Sequence, residues 1–168
     1  FGVTYHLDFY TPQEMQSILT RSADLLQISC DENALSAIAH RSRRTPRIGN
    51  RLLKRVRDYA QVMGDGQLTQ EIAQAGLDAL EIDARGLDEA DRQALRALME
   101  KFNGGPVGLS SIAAAIAEEV ETVEEVIEPF LLQEGFIART PRGRVATDAA
   151  YAHLGFTPPT RQGILDVS

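Results

Sequence analysis

The chain has 168 residues, 43% of them hydrophobic, which suffices for one ordinary domain or two small ones with packed cores. No run is long or apolar enough to span a bilayer, no signal-peptide pattern opens the chain, and a single cysteine, Cys30, excludes an internal disulfide; no membrane association and a reduced, cytoplasmic setting are expected. The net charge of −7 argues against broad nucleic-acid affinity, but it hides a segregation: eight of the 17 Lys and Arg residues lie between Arg41 and Arg57, and three more at Arg139, Arg142 and Arg144.

Residues 3–9 alternate apolar and polar, which predicts a strand. No second strand follows for more than a hundred residues, and a lone strand cannot satisfy its ladder groups. The strand is therefore expected to belong to a sheet upstream, with the sequence a piece of a longer protein. Helical spacing then predicts helices over 12–26, 31–43, 46–63 and 69–80. Asp31, Thr45 and Thr69 stand at N-cap positions, and Gly64-Asp65-Gly66 is a break. These helices make a small all-α bundle ending near Ile82, with a short linker over 83–88.

A second pattern follows. Helices are expected over 88–102, 110–118 and 122–134, the last opened by a capping box at Thr122 and Glu125, with a Gly-Pro break at 104–108. Residues 136–139 and 144–147 read as two short strands around Thr140-Pro141-Arg142-Gly143, which suits a type I turn. Three helices and a hairpin are the winged-helix order, a variant of helix-turn-helix. A last helix over 148–154 closes the domain, and the tail from Thr157 is expected to be loose.

The chemistry is confined to arginines. No phosphate-loop motif occurs in the sequence, and His6, His40 and His153 are too scattered for a metal site. Glu118, Glu119, Glu121, Glu124, Glu125 and Glu128 read as a solvated acidic helix face rather than acid–base catalysts. Such a face would be repelled by phosphates if the third helix entered a major groove. The hairpin is the opposite, because Arg139, Arg142 and Arg144 crowd its turn; contact with DNA is expected to be wing-first and largely independent of sequence. Arg47 sits in the first turn of the helix starting at Pro46, where a positive charge opposes the helix dipole. Free amides with a guanidinium there form a phosphate receptor.

The run Thr45-Pro46-Arg47-Ile48-Gly49-Asn50-Arg51-Leu52-Leu53-Lys54-Arg55-Val56-Arg57-Asp58 resembles the RuvB family of AAA+ motors of Holliday-junction branch migration. So do Gly104-Gly105-Pro106-Val107-Gly108-Leu109, Glu128-Pro129-Phe130-Leu131 and Arg139-Thr140-Pro141-Arg142-Gly143-Arg144, in the same order over nearly the whole chain. The resemblance implies that residues 1–10 end a large ATPase domain, 11–82 form the small AAA+ lid, 83–155 a winged-helix DNA-binding head and 156–168 a flexible tail. It further implies ATP or ADP with Mg2+, the metal held by the large domain, together with duplex DNA at Holliday junctions, RuvA, RuvC and a homo-hexamer as partners. By position, Arg47 matches the sensor-2 arginine that reaches nucleotide phosphates, and Tyr10 the tyrosine lining the nucleotide pocket. Arg139 and Arg144 match arginines on DNA, with Arg142 their neighbour. Two departures from the family pattern are Arg44, where a Gly precedes the Thr-Pro-Arg run, and Gly49, often Ala; the first adds charge beside the expected pocket.

A competing reading is a winged-helix transcriptional regulator with a helical effector or dimerisation domain. It predicts a basic reading helix and a chain complete at its start, and the sequence offers neither. A third, an interaction module using the acidic face, is compatible with the first.

Overall fold

A computed structural model describes residues 9–160, so the strand expected at 3–9 lies, apart from Phe9, outside the described residues. The structure is mostly helical and divides into two compact units between Asp88 and Glu89.

The first unit is a bundle of α1 (Pro12–Leu25), α2 (Glu32–His40), α3 (Pro46–Met63) and α4 (Gln70–Ala79). Each start has a local cause. Thr11 and Glu14 form a capping box around α1, with the Thr11 amide donating to Glu14 at 2.7 Å and the Glu14 amide to the Thr11 hydroxyl at 3.2 Å. Asp31 caps α2 through the Ala34 amide at 2.6 Å, and its second oxygen accepts from the Gln70 amide at 3.2 Å, tying the starts of α2 and α4 together. Thr69 caps α4. Thr45, expected to cap α3, does not: its hydroxyl donates back to the Arg43 carbonyl at 3.1 Å, leaving the helix without a side-chain cap.

Met15, Leu19, Leu35, Ile38, Leu52, Leu53, Val56, Leu68 and Leu77 fill the core. Met63 has the helical spacing of the apolar face of α3 but is exposed at the helix end. Gly49 lets α3 cross α1 closely: a Cβ there would lie 2.8 Å from the Met15 methyl and 3.2 Å from Leu19. Residues 83–88, expected as a linker, form an ordered turn in which Asp83 accepts from the amides of Arg85 and Leu87, and Leu87 is buried.

The second unit starts with α5 (Glu89–Arg96), prolonged by a π-helical turn, Ala97–Lys101. After α6 (Leu109–Ile116), one helical rod comprises α7 (Val120–Thr122), a π-helical turn (Val123–Ile127) and α8 (Glu128–Gln133). The rod begins two residues before Thr122, whose φ of −62° and ψ of −43° are helical, so the expected capping box there does not form. Strands β1 (Ile137–Thr140) and β2 (Gly143–Ala146) pair antiparallel with Arg139 opposite Arg144, and α9 (Asp148–Leu154) follows.

Val107, inside the expected break, supplies a third strand segment. Its amide donates to the Arg144 carbonyl at 3.0 Å, and the Arg144 amide returns a bond at 2.7 Å. The approach needs glycine on both sides. Gly105 has φ +88° and faces the Arg144 carbonyl, while Gly143 has φ +140° and a Cβ on it would lie 2.5 Å from the Val107 carbonyl oxygen.

Arg43 and Arg44 both have φ +55°, where a side chain crowds its own carbonyl at a cost of about 1–2 kcal/mol. Arg44→Gly should remove that strain, and the extra freedom of glycine in the unfolded chain takes back about half of the gain. A rise of roughly 2–6 °C in the melting temperature of the bundle is expected. Calorimetry checks it, and an unchanged or lower melting point would show the strain to be absent.

Candidate functional site

The eleven clustered arginines and lysines are not equivalent once folded. In the first unit, Arg41 is buried and its Nη2 donates to the Gln74 side-chain oxygen at 3.1 Å. Arg43 pairs with Asp88 at 3.1 Å and Arg57 with Asp58 at 2.7 Å. The charges of Arg43 and Arg57 are thus paired within the bundle, whereas Arg41 meets a neutral amide. Arg44, Arg47, Arg51, Lys54 and Arg55 remain exposed, with no side-chain partner among the described residues.

Arg47 is the residue whose placement is least explained by folding. It stands in the first turn of α3, after Pro46, with no acid in that turn to neutralise it. The Gly49 amide reaches the Thr45 carbonyl at 2.9 Å, but the amides of Arg47 and Ile48 find no acceptor among the described residues. An uncapped start of an 18-residue helix therefore presents free N–H groups beside a free guanidinium. Tyr10 is exposed immediately before the Thr11 cap of α1, and α3 crosses that helix through Gly49, two residues beyond Arg47.

The hairpin of the second unit is built differently. Glu128, grouped by spacing with a solvated acidic face, is 1% exposed. Its Oε1 accepts from Arg139 Nε at 2.7 Å and from Arg144 Nε at 3.0 Å, and its Oε2 from Arg144 Nη2 at 3.3 Å. The other acids, Glu118, Glu119, Glu121, Glu124 and Glu125, are exposed as expected. The separation has a backbone cause. Pro129 cannot donate to the carbonyl four residues before it, and the preceding turn opens to the π form. A π turn bonds i to i+5, so it shifts the following residues by about one helical position, or about 100°. Glu128 then leaves the acidic stripe and faces the hairpin.

Cross-strand pairing puts Arg139 and Arg144 side by side on one face. The side chain of Arg139 is 62% exposed and that of Arg144 25%. Arg142 sits exposed at the turn tip, its side chain unpartnered among the described residues. The turn is closed by the Thr140 hydroxyl donating to the Gly143 carbonyl at 2.8 Å. The cluster at Glu128 keeps one net positive charge, Arg142 adds another, and all of it stands on a short hairpin.

A four-helix lid-type bundle with an exposed arginine at an uncapped helix start, followed by a winged helix with paired arginines on its hairpin, defines a protein class: an AAA-type lid joined in sequence to a winged-helix domain. Two family models match in that order, the RuvB AAA lid domain over residues 10–83 and the RuvB C-terminal winged helix domain over residues 84–155. Among similar proteins, the Holliday junction branch migration complex subunit RuvB of Streptomyces avermitilis is 62% identical over 161 residues, covering 96% of this chain and 45% of that protein. The RuvB of Mycobacterium sp. strain KMS is 57% identical over 160 residues, with 95% and 45% covered. The solved Thermotoga maritima RuvB Holliday junction branch migration motor superposes with a TM-score of 0.85 at 47% identity, covering 91% of this chain and 51% of that one. A point mutant of that Thermotoga maritima protein gives 0.88 at 46% identity, with 95% and 53% covered.

The chain belongs to the RuvB family and corresponds to its C-terminal part, lid and winged helix. It spans about half the length of the relatives it matches.

The close pairing of Val107 with β2 makes the hairpin sensitive to one methyl group. Gly143→Ala forces a Cβ onto the Val107 carbonyl at a left-handed φ, for an expected loss of roughly 2–4 kcal/mol from the winged-helix unit. Urea denaturation followed by circular dichroism would show it as a lower midpoint, and an unchanged midpoint would refute the pairing.

Proposed function

We propose that this chain is the lid and DNA-binding head of an ATP-dependent DNA motor that drives Holliday-junction branch migration in recombination and repair, in the cytoplasm. Residues 1–10 would end the large ATPase domain, 11–82 form the lid, 83–155 the head and 156–168 the tail. The observation that carries the reading is Arg47, an exposed cation unpaired among the described residues at an uncapped helix start, kept where a structural helix would place an acid.

The residues present fit a nucleotide phosphate. The amides of Arg47 and Ile48 and the Arg47 guanidinium offer donors and positive charge without a protein competitor among the described residues. Tyr10, at the entry to α1, would line the base side of the same pocket. Among the described residues no His, Cys, Asp or Glu group could hold a metal; Mg2+ would be held by the large domain. ATP or ADP would supply the phosphate charge; Arg47 would sense it and draw the lid toward the large domain, and its release would let the lid move back. That movement would carry the head along DNA.

The head would grip the duplex through its wing. Arg139, Arg142 and Arg144 would face phosphates, and the exposed acids around Glu121, Glu124 and Glu125 disfavour insertion of that helix into a groove. A motor crossing arbitrary sequence benefits from such indifference, because each base-specific contact would trap it by about 1–3 kcal/mol. RuvA, bound through the large domain, RuvC and five further copies of the parent protein complete the proposed assembly.

In the full-length parent, Arg47→Ala should lower ATP turnover by roughly a hundredfold or more. The lid should lose no stability, since a charge opposed to the dipole is removed. Steady-state hydrolysis with parallel thermal melts checks both, and an unfolded lid with normal turnover per folded molecule would defeat the sensor role. The 168-residue chain alone should hydrolyse no ATP above background, with or without DNA.

Arg139→Ala should weaken binding to unrelated duplexes equally and reduce the salt slope by roughly one phosphate's worth. Titrations on several sequences at two salt concentrations test it; a hundredfold preference for one sequence would favour a regulator instead.

A further inference from the structure

The carboxylate of Glu128 belongs to none of the groups that would touch nucleotide or DNA, yet it is the most buried acid of the winged helix among those with a resolved ion pair. A buried carboxylate must be paired, but pairing alone needs one arginine, and Glu128 holds two. It holds them in a particular way. Among the described residues Arg139 gives only its Nε, at 2.7 Å, leaving both terminal nitrogens and their four N–H groups uncommitted on a side chain 62% exposed. Arg144 gives Nε and Nη2, leaving Nη1. Both donor edges are fixed from behind, and the outward edges stay open.

We infer that Glu128 is a positioning residue for DNA: it locks Arg139 and Arg144 side by side so that their free edges meet the same stretch of phosphate backbone. The inference rests on the DNA-binding reading of the wing. Arginine loses much side-chain freedom when it clamps a phosphate, and a side chain already held loses less on binding. The fixed element is rigid on both sides. Glu128 is anchored in α8 directly after the π turn, and the arginines are opposed in the hairpin ladder. The contrary view makes Glu128 a competitor that cancels positive charge and weakens the grip. The two views predict opposite signs, because Glu128→Gln adds a net positive charge to the wing. Simple charge counting expects tighter binding, and positioning expects weaker.

The test uses the 168-residue chain and two unrelated fluorescent duplexes at two salt concentrations. Glu128→Gln should weaken binding roughly three- to tenfold, the loss of one well-made charged hydrogen bond. In an Arg139→Ala, Arg144→Ala background the same substitution should change binding less than twofold, whereas damage to the fold would persist there. Unchanged or tighter binding by Glu128→Gln, with Arg139→Ala still weakening it, overturns the positioning role and spares the wing reading. If Arg139→Ala, Arg142→Ala and Arg144→Ala all leave binding unchanged, the wing reading itself falls, and the inference with it. Should Glu128→Gln unfold, Arg139→Lys decides. Glu128 then keeps its pair with Arg144 and the charge is conserved, but an ammonium cannot hold carboxylate and phosphate on two edges of one plane. A loss close to that of Arg139→Ala supports the inference, and wild-type affinity refutes it.

Discussion

A carboxylate shut away from water and shared by two guanidinium groups governs the winged-helix unit. Desolvating Glu128 costs several kcal/mol, which is recovered only while the carboxylate stays paired with the hairpin arginines. That requirement reaches outward. It fixes the phase of α8, so the π turn before it has to be present. It fixes the register of β1 and β2, because a slip of one residue would turn Arg139 or Arg144 to the other face. The backbone of Arg144, in the same strand, also pairs with Val107. Apolar residues of similar volume could hold helix and hairpin together at lower cost. The polar solution makes sense where the hairpin has to present charge in a fixed direction.

The bundle treats its arginines in the reverse manner. Arg43 and Arg57 are paired with Asp88 and Asp58 and Arg41 bonds Gln74, while Arg47 is left without a partner among the described residues, beside amides that Thr45 fails to cap. An anion at that point would gain from the dipole, the amides and the guanidinium together. An unsatisfied start stabilises nothing in the isolated bundle. The left-handed Arg44 next to it adds to this, as a side chain carried at a position that suits glycine. In both units the core itself is filled by ordinary Leu, Ile and Ala packing.

Much of this was legible in the chain itself. The caps at Asp31 and Thr69, the breaks at glycine, the helical spacing of α1 to α4 and the alternation of the hairpin strands are local matters, set within a few residues by backbone stereochemistry and hydrogen-bonding side chains. The dipole argument for Arg47 is local too, and its side chain is exposed and unpaired among the described residues, as that argument requires. What misled was equally local. Thr122 and Glu125 have capping-box spacing, but the rod had already begun at Val120; the box that forms is Thr11 with Glu14. Met63 fits the apolar stripe of α3 by count, but at the last turn of the helix it is exposed.

The role of Glu128 was decided by tertiary structure alone. Spacing places it on one stripe with Glu121, Glu124 and Glu125, and only the π turn ahead of Pro129 takes it off that stripe. The one local sign was that proline, whose missing N–H has to be accommodated somewhere, though not in a direction the sequence specifies. Val107 is a similar case, since its pairing with β2 depends on the room left by two glycines 38 residues apart, Gly105 and Gly143. Periodicity reports which face of a helix a residue shares with its neighbours along the chain. Which charges end up sharing one desolvated carboxylate depends on contacts between segments far apart in sequence, and those exist only once the unit has folded.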